Sequence, residues 1–136
     1  MRGRGQRILV LRGTPLAGKN ILVVEDDPSI SSFVQKALQS KGYSVTVAND
    51  GIAGMTALEG YKPDLIILDI MMPRLDGMTL AKALKKKKAQ IPIIFLTAKT
   101  DPASMIAGIS AGAKFYITKP FRIAELLTKV DKALGA

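Results

Sequence analysis

The chain has 136 residues, a natural length for one domain, and 48% of them are hydrophobic, which is enough for a buried core. It contains no cysteine and no histidine, so disulfides, thiol chemistry, histidine-based metal sites and serine–histidine hydrolysis are excluded. The formal net charge is +9, and no apolar run is long enough for a membrane span or a signal peptide. These properties predict a soluble, cytoplasmic protein without a membrane span.

The positive charge is concentrated in two places, a basic N-terminus and a lysine cluster at residues 82–88. We predict that residues 1–19 form a basic N-terminal extension or linker and that residues 20–136 form the folded domain. The two basic segments could bind nucleic acid, an anionic lipid surface or an acidic partner. A solvated tail and a lysine-rich helix end, where cations complement the helix dipole, explain the same pattern.

Five short apolar runs have the length and composition of strands, and most of them read as buried on both faces. They cover residues 20–24, 43–48, 65–68, 92–97 and 114–118. The second run alternates around Val45 and Val47, which favours a strand nearer the edge of the sheet.

Five amphipathic segments follow these runs and predict helices at residues 28–41, 52–60, 76–88, 102 to about 112, and 121–134. Asp27, Asp76 and Asp101 stand where helix N-caps are expected, and proline follows two of them at the first helical position. We expect the core-facing side chains to include Phe33 and Ala53. On the fourth helix, Met105, Ile106 and Ile109 form an apolar stripe that we also expect to face the core, and the alternative for this stripe is a dimer or partner patch. The others expected there are Ile30, Val34, Ala37, Leu38, Ala57, Leu58, Met78, Ala81, Leu84, Ile123, Leu127, Val130 and Leu134.

Strands that alternate with helices predict an α/β fold with a doubly wound parallel sheet and right-handed crossovers. Polar residues follow four of the five strands at their carboxyl ends: Glu25 and Asp26, Asp69, Thr97, and Lys119. In a parallel sheet these ends lie on one edge, where ligands bind.

Three carboxylates at one point repel each other unless a cation intervenes, and an oxygen-only ligand set selects a hard ion, Mg²⁺ or Mn²⁺. Lys119 and the hydroxyl of Thr97 would suit a phosphoryl group beside that ion. Asp69 is then the best candidate nucleophile, because carboxylates can form acyl phosphates.

The chain from Asn20 to about Leu134 resembles the receiver domains of response regulators in two-component signalling, including the chemotaxis regulators. The motifs that carry the resemblance are Val23-Val24-Glu25-Asp26, Asp69 with Met72-Pro73 and Asp76-Gly77, Leu96-Thr97-Ala98, and Tyr116-Ile117-Thr118-Lys119-Pro120-Phe121. The resemblance implies a flavodoxin-like (βα)5 fold with strand order 2-1-3-4-5.

The resemblance also implies a phosphorelay switch rather than an enzyme, with Asp69 accepting a phosphoryl group from a sensor histidine kinase or a phosphotransfer protein. Asp26, Asp69 and the backbone oxygen of Met71 would bind Mg²⁺ directly, and Glu25 would act through water. Magnesium-dependent self-phosphorylation from a phosphodonor and autodephosphorylation are expected. Asp27 lies one place past the acidic pair and is expected to be a helix cap.

Two further residues would form the switch: Thr97 would move toward the phosphoryl group and Tyr116 would swing inward behind it. The fourth helix, the fifth strand and the last helix would then form a surface for a downstream output protein or domain, or for a homodimer. Met71 and Lys99 flank the expected route of the hydrolytic water, so we expect them to influence the lifetime of the phosphoryl group.

Two alternatives on the same fold are a scaffold that is never phosphorylated and a binding module built on the basic surface; nucleic acid is not expected to bind the core. An aspartyl phosphatase is disfavoured because Met71 stands where its second aspartate is expected. A flavin-binding protein of the same fold is disfavoured because the acidic loop after the first strand would repel the flavin phosphate. The sequence leaves open whether the chain is free-standing or belongs to a longer regulator or hybrid kinase.

Overall fold

The computed structural model describes residues 18–72, 75–86 and 90–135. Five strands alternate with five helices along this part of the chain. The elements are β1 (Asn20–Val24), α1 (Pro28–Ser40), β2 (Ser44–Ala48), α2 (Gly51–Ala57), β3 (Leu65–Leu68), α3 (Gly77–Lys86), β4 (Ile93–Thr97), α4 (Pro102–Ser110), β5 (Ala113–Thr118) and α5 (Ile123–Ala133).

The strands form one parallel sheet in the order β2-β1-β3-β4-β5. This arrangement confirms the predicted doubly wound α/β fold and places β2 at an edge, as its alternating pattern indicates. The chain order reverses beside β1, where β2 lies on one side and β3 on the other. In open α/β sheets such a switch point is where ligands bind, at the carboxyl ends of the strands.

Two hydrophobic layers enclose the sheet, one on each face. Side chains from α1 and α5 pack with Ile21, Ile67 and Ile94 on one face, and side chains from α2 and α3 pack with Ile66 and Phe95 on the other. The three central strands are buried on both faces because successive side chains of a strand point to opposite sides. This double cover fixes the register of the strands and therefore the positions of the residues that follow them.

Aspartates cap the N-termini of α1 to α4 just beyond this edge of the sheet. Asp27 accepts the N–H groups of Ser29 and Ile30, Asp50 accepts that of Ala53, and Asp101 accepts that of Ser104. Asp76 accepts the N–H of Thr79 at 2.8 Å. Each carboxylate satisfies donors that a helix N-terminus leaves unpaired, and these contacts confirm the predicted caps at Asp27, Asp76 and Asp101.

The boundaries differ slightly from the predicted ones. The second helix begins at Gly51 and ends at Ala57, earlier than predicted, and the last helix is Ile123–Ala133. The fifth strand starts at Ala113, with a register shift against β4 between Ile93 and Ile94. The predicted end of the third helix and Pro73 lie outside the described residues. Among the described residues, no helix has both the length and the apolar character needed to cross a membrane.

Outside α4, two predicted core residues are exposed. Phe33 has 53% of its surface exposed, and its ring lies against that of Phe121 with the centroids 6.2 Å apart. Ala53 also faces solvent, because α2 turns Gly54 toward the sheet. A Cβ added at Gly54 would lie 3.2 Å from a methyl group of Val24, so an added side chain would have to displace Val24 slightly. Hydrophobic periodicity misses such a face because glycine carries no apolar side chain.

The predicted placement of Met105, Ile106 and Ile109 in the core is wrong. Their exposed fractions are 37%, 68% and 51%. The buried residue of α4 is Gly108, so this helix also turns its glycine toward the sheet and leaves its apolar stripe outside.

Candidate functional site

Four polar side chains lie at or just after the carboxyl ends of strands β1, β3, β4 and β5, at one edge of the sheet. Glu25, Asp69 and Thr97 are buried, with exposed fractions of 3%, 5% and 0%. The Nζ atom of Lys119 lies 2.6 Å from Glu25 Oε1 and 3.0 Å from Asp69 Oδ2. The parallel sheet therefore brings together groups that are up to 94 residues apart in the sequence.

Three carboxylates meet at the same place. Ligand oxygens of Glu25, Asp26 and Asp69 all lie within 4.8 Å of one another, and Asp26 is the exposed member of the three. Carboxylate oxygens are the donors that hard divalent cations such as Mg²⁺ and Mn²⁺ prefer. Lys119 pairs with two of the three carboxylates. One lysine cannot neutralise three carboxylates, so the remaining negative charge would stabilise a divalent cation here.

Burial and charge act in opposite directions on the ionisable groups. Burial raises the pKa of Glu25, and the hydrogen bond from Lys119 offsets part of that rise. Burial by itself would lower the pKa of Lys119, but its hydrogen bonds to Glu25 and Asp69 and their negative charges raise it instead. Lys119 therefore stays protonated and neutralises buried negative charge near neutral pH.

The backbone around Asp69 is tightly placed. The Asp69 N–H donates to the carbonyl of Val24, and Asp69 Oδ1 accepts the N–H of Met71 at 3.0 Å. Gly77 begins α3 with its N–H bonded to the carbonyl of Ile70, and a Cβ at Gly77 would overlap the carbonyl oxygen of Asp69. The sequence predicts a turn at Asp76-Gly77 but does not reveal this close approach, which only glycine permits.

A second group of contacts links the end of β4 to β5. The buried hydroxyl of Thr97 accepts the N–H of Lys99 at 3.3 Å, and the Tyr116 hydroxyl donates to the carbonyl of Lys99 at 2.7 Å. The Tyr116 ring packs against Phe95 with the centroids 6.0 Å apart. Burial raises the pKa of the Tyr116 hydroxyl, with smaller contributions from the charges of nearby aspartates.

The remaining predicted site residues lie at the margin. The side chain of Met71 is exposed, with an exposed fraction of 54%, and Lys99 is half-buried. Asp27 is exposed and acts as the cap of α1, as predicted, while its N–H donates to Glu25 Oε2 at 3.1 Å. The structure thus brings Glu25, Asp69 and Lys119 into direct contact and joins Thr97, Lys99 and Tyr116 by hydrogen bonds.

This fold and this strand-end site are those of a receiver domain, and comparison with known proteins agrees. The sequence model of the response regulator receiver domain matches residues 21–131. The chain belongs to the family of response-regulator receiver domains, which are signalling modules of two-component systems.

Among curated proteins, the chain is similar to the transcriptional regulatory protein RprY of Bacteroides fragilis, with 45% identity over 114 residues, which is 84% of this chain and 48% of RprY. It is 42% identical over 116 residues to the alkaline phosphatase synthesis transcriptional regulatory protein PhoP of Bacillus subtilis, covering 85% of this chain and 48% of PhoP. The chain therefore spans about half the length of these curated relatives.

Two solved structures match this chain over nearly their whole length. A Francisella response regulator receiver domain matches with a TM-score of 0.82 and 35% identity, covering 86% of this chain and 97% of that chain. The Vibrio cholerae chemotaxis protein CheY4 matches with a TM-score of 0.81 and 32% identity, covering 87% of this chain and all of CheY4 (100%). These similarities confirm the fold that the sequence predicts.

Proposed function

We propose that this chain is a phosphorylatable switch in which Asp69 accepts a phosphoryl group from a phosphohistidine on a sensor histidine kinase or a phosphotransfer protein. The observation that carries the proposal is the contact of Lys119 Nζ with two buried carboxylates, at 2.6 Å from Glu25 and 3.0 Å from Asp69. Phosphoryl transfer depends mainly on positioning and charge neutralisation, and a nucleophilic carboxylate beside a fixed cation supplies both.

In the proposed transfer, an Asp69 carboxylate oxygen forms a bond to phosphorus while the phosphorus–nitrogen bond to the partner's histidine breaks. The bonding electron pair returns to the imidazole ring. Lys119 exchanges a carboxylate contact for a phosphoryl oxygen, and the hydroxyl of Thr97 donates a hydrogen bond to another. Hydrolysis of the acyl phosphate later restores the Asp69 carboxylate and releases inorganic phosphate.

The chemistry of the donor set fits Mg²⁺ or Mn²⁺, because all three side-chain donors are oxygens within 4.8 Å of one another. We assign Asp26, Asp69 and the backbone oxygen of Met71 as direct ligands. Glu25, whose Oε1 pairs with Lys119 and whose Oε2 accepts the N–H of Asp27, would contact the ion through water. When bound, the divalent ion would neutralise the carboxylates and the charge that builds up on the phosphoryl oxygens.

The proposed switch runs through Thr97, Lys99 and Tyr116 to the surface formed by α4, β5 and α5. A shift in the population of two arrangements of these residues would report phosphorylation to an output protein or domain, or to a second copy of the chain. The exposed Ile106 and Ile109 give this surface an apolar patch suited to such a contact. Met71 and Lys99 would tune the lifetime of the phosphoryl group through access of water.

The location of the protein and its domain boundaries are also proposals. We place the switch in the cytoplasm and assign residues 20–136 to the receiver domain, with residues 1–19 as an extension or linker. Binding of nucleic acid through the basic arm stays a prediction, because residues 1–17 lie outside the described residues.

The test is intact-mass analysis after incubation with acetyl phosphate, with and without Mg²⁺. The proposal predicts one phosphoryl adduct that requires Mg²⁺ and is absent in Asp69→Asn. Asp76→Asn is the matched control, because it makes the same chemical change nearby while asparagine still caps α3.

Absence of the adduct in the wild-type chain, both with acetyl phosphate and with a phosphorylated histidine kinase, would overturn the proposal. Loss of Mg²⁺ binding as well would favour an unphosphorylated scaffold or a binding module on the basic surface.

A further inference from the structure

Gly108 makes an unusually close approach to the ring of Tyr116. It is the buried residue of α4, and an added Cβ would lie 2.9 Å and 3.0 Å from Cδ2 and Cε2 of Tyr116 and 3.1 Å from Cδ2 of Phe95. Real Cβ atoms essentially never approach another heavy atom to 2.9 Å, and contacts of 3.0–3.1 Å are tighter than most, so a side chain here would force the ring to shift. The observed position of Tyr116 therefore requires a residue without a side chain at this point of α4.

The opposite end of the same tyrosine is also held. Its hydroxyl donates to the carbonyl of Lys99 at 2.7 Å, and the Lys99 N–H donates to the hydroxyl oxygen of Thr97 at 3.3 Å. A continuous set of contacts thus runs from the backbone of α4 through the ring of Tyr116 to the end of β4.

We propose that Gly108 is a positioning residue: its missing side chain seats the Tyr116 ring against α4 and couples this helix to Thr97. The inference rests on the proposed function, in which Thr97 contacts the phosphoryl group. The outward face of α4 is exposed, so the contact at Gly108 is a main point where this helix meets the core. A small movement of α4 must displace the ring, and a movement of the ring must displace α4, because no flexible side chain lies between them.

The substitution Gly108→Ala tests this coupling. We expect the alanine to push the Tyr116 ring away from the Lys99 carbonyl and loosen the segment that carries Thr97. The rate of phosphorylation by acetyl phosphate should fall about 3- to 10-fold, the range of typical coupling effects. A glycine that does not position Tyr116 would leave the rate unchanged, and alanine in its place would raise the melting temperature, because alanine favours the helix.

Gly54→Ala is the matched control. Gly54 is also a buried glycine on a helix, and its added Cβ would lie 3.2 Å from Val24 and 3.4 Å from Leu80, away from Tyr116. We expect it to change the melting temperature without changing the phosphorylation rate. An equal loss of rate in both variants would assign the effect to general crowding and overturn the inference.

Two further readouts separate this inference from the proposed function. The effect of Gly108→Ala on the phosphorylation rate should disappear in a Tyr116→Ala background, and persistence there would overturn the coupling. In the unphosphorylated protein, NMR contacts between Gly108 and the Tyr116 ring should be strong, and the ring resonances should shift in Gly108→Ala. If the wild-type chain accepts no phosphoryl group the proposed function fails, whereas unchanged ring resonances in the variant would refute the positioning role alone.

Discussion

The strand-end site and helix α4 lie near each other but are held in contrasting ways. At the site, Asp69 follows a strand that is buried on both faces, and its own exposed fraction is 5%. On α4, Ile106 and Ile109 are 68% and 51% exposed, and the buried residue is Gly108. The strand-end site is fixed by the sheet, whereas α4 contacts the sheet through Gly108.

The difference shows how one small domain can combine fixed chemistry with an adjustable surface. A nucleophile and its neutralising cation need constant geometry, which the register of a parallel sheet supplies. A helix with few buried apolar contacts belongs to the less stable part of a fold, where elements that move are found. Tyr116 lies between the two regions, with its ring against Gly108 and its hydroxyl on Lys99.

The sharpest test of this contrast uses the same substitution in both regions. Ile67→Ala in β3 removes a side chain that is 1% exposed, and we expect a loss of about 2–5 kcal/mol in the free energy of unfolding. Ile106→Ala removes one that is 68% exposed, and we expect a change within about 0.5 kcal/mol. Urea unfolding of both variants measures the difference. Similar losses would show that α4 is packed as firmly as the sheet.

The next largest effect is expected at the cation of the site. Lys119→Met should lower the phosphorylation rate about 10²–10³-fold, because the transferring group loses its fixed positive charge. Without Mg²⁺ it should also lower the melting temperature, since Glu25 and Asp69 are left buried without their partner.

The control for Lys119→Met is Lys114→Met, the same change at an exposed position of β5. It should leave both the phosphorylation rate and the melting temperature close to the wild type. Added Mg²⁺ should raise the melting temperature of Lys119→Met more than that of the wild type. If Lys119→Met and Lys114→Met have the same phosphorylation rate and melting temperature, Lys119 has no role in the site.

A smaller effect concerns pH. The folded state raises the pKa of Glu25 above its ordinary value of 4.5, so the folded protein holds this proton more tightly than the unfolded chain. The free energy of unfolding, measured without metal, should therefore fall as pH rises from about 4.5 through the raised pKa. Asp27 and Asp101 have lowered pKa values, and their contribution is lost at pH values below the ordinary 3.8, outside this window.

In Glu25→Gln this fall should vanish, while Mg²⁺ binding weakens. Denaturant unfolding at several pH values, together with Mg²⁺ titration, provides the measurement. A fall of the same size in the variant would mean that another group causes it.

The smallest effect is expected at the margin of the site. Met71→Ala and Lys99→Ala should each change the half-life of the phosphorylated protein a few-fold, in keeping with modest coupling energies. Lys82→Ala, an exposed lysine on α3, is the control. If neither Met71→Ala nor Lys99→Ala alters the rate of dephosphorylation, their proposed influence on lifetime is wrong.

The fold and the convergence of the site groups could be read from the sequence. Continuous apolar runs identify the central strands, and Asp27, Asp76 and Asp101 identify helix starts. Once the sheet is parallel, residues that follow its strands must share one edge, so the contact of Lys119 with Asp69 follows from topology. Their roles in phosphoryl transfer remain proposals.

The face of α4 could not be read in the same way, and on α2 the prediction is right for Ala57 and Leu58, which pack against the core, and wrong for Ala53. Periodicity assigns the apolar side chains of a helix to the core, but both helices approach the sheet through glycine. The space at each glycine is set by neighbours distant in sequence. Val24 and Leu80 limit the space at Gly54, and Tyr116 and Phe95 limit it at Gly108. Such contacts depend on tertiary packing, which a local pattern does not contain.

Asp69, held beside Lys119 by the sheet, is the group that we propose becomes phosphorylated. The most direct test is to react the Mg²⁺-bound wild-type protein with acetyl phosphate, reduce the product with borohydride and map the peptides. Borohydride converts an aspartyl phosphate to homoserine and so marks the acceptor in the unmutated chain. We expect homoserine at position 69. Homoserine at position 26 instead, or at no position in a protein that gains a phosphoryl group, would show that Asp69 is not the phosphate acceptor.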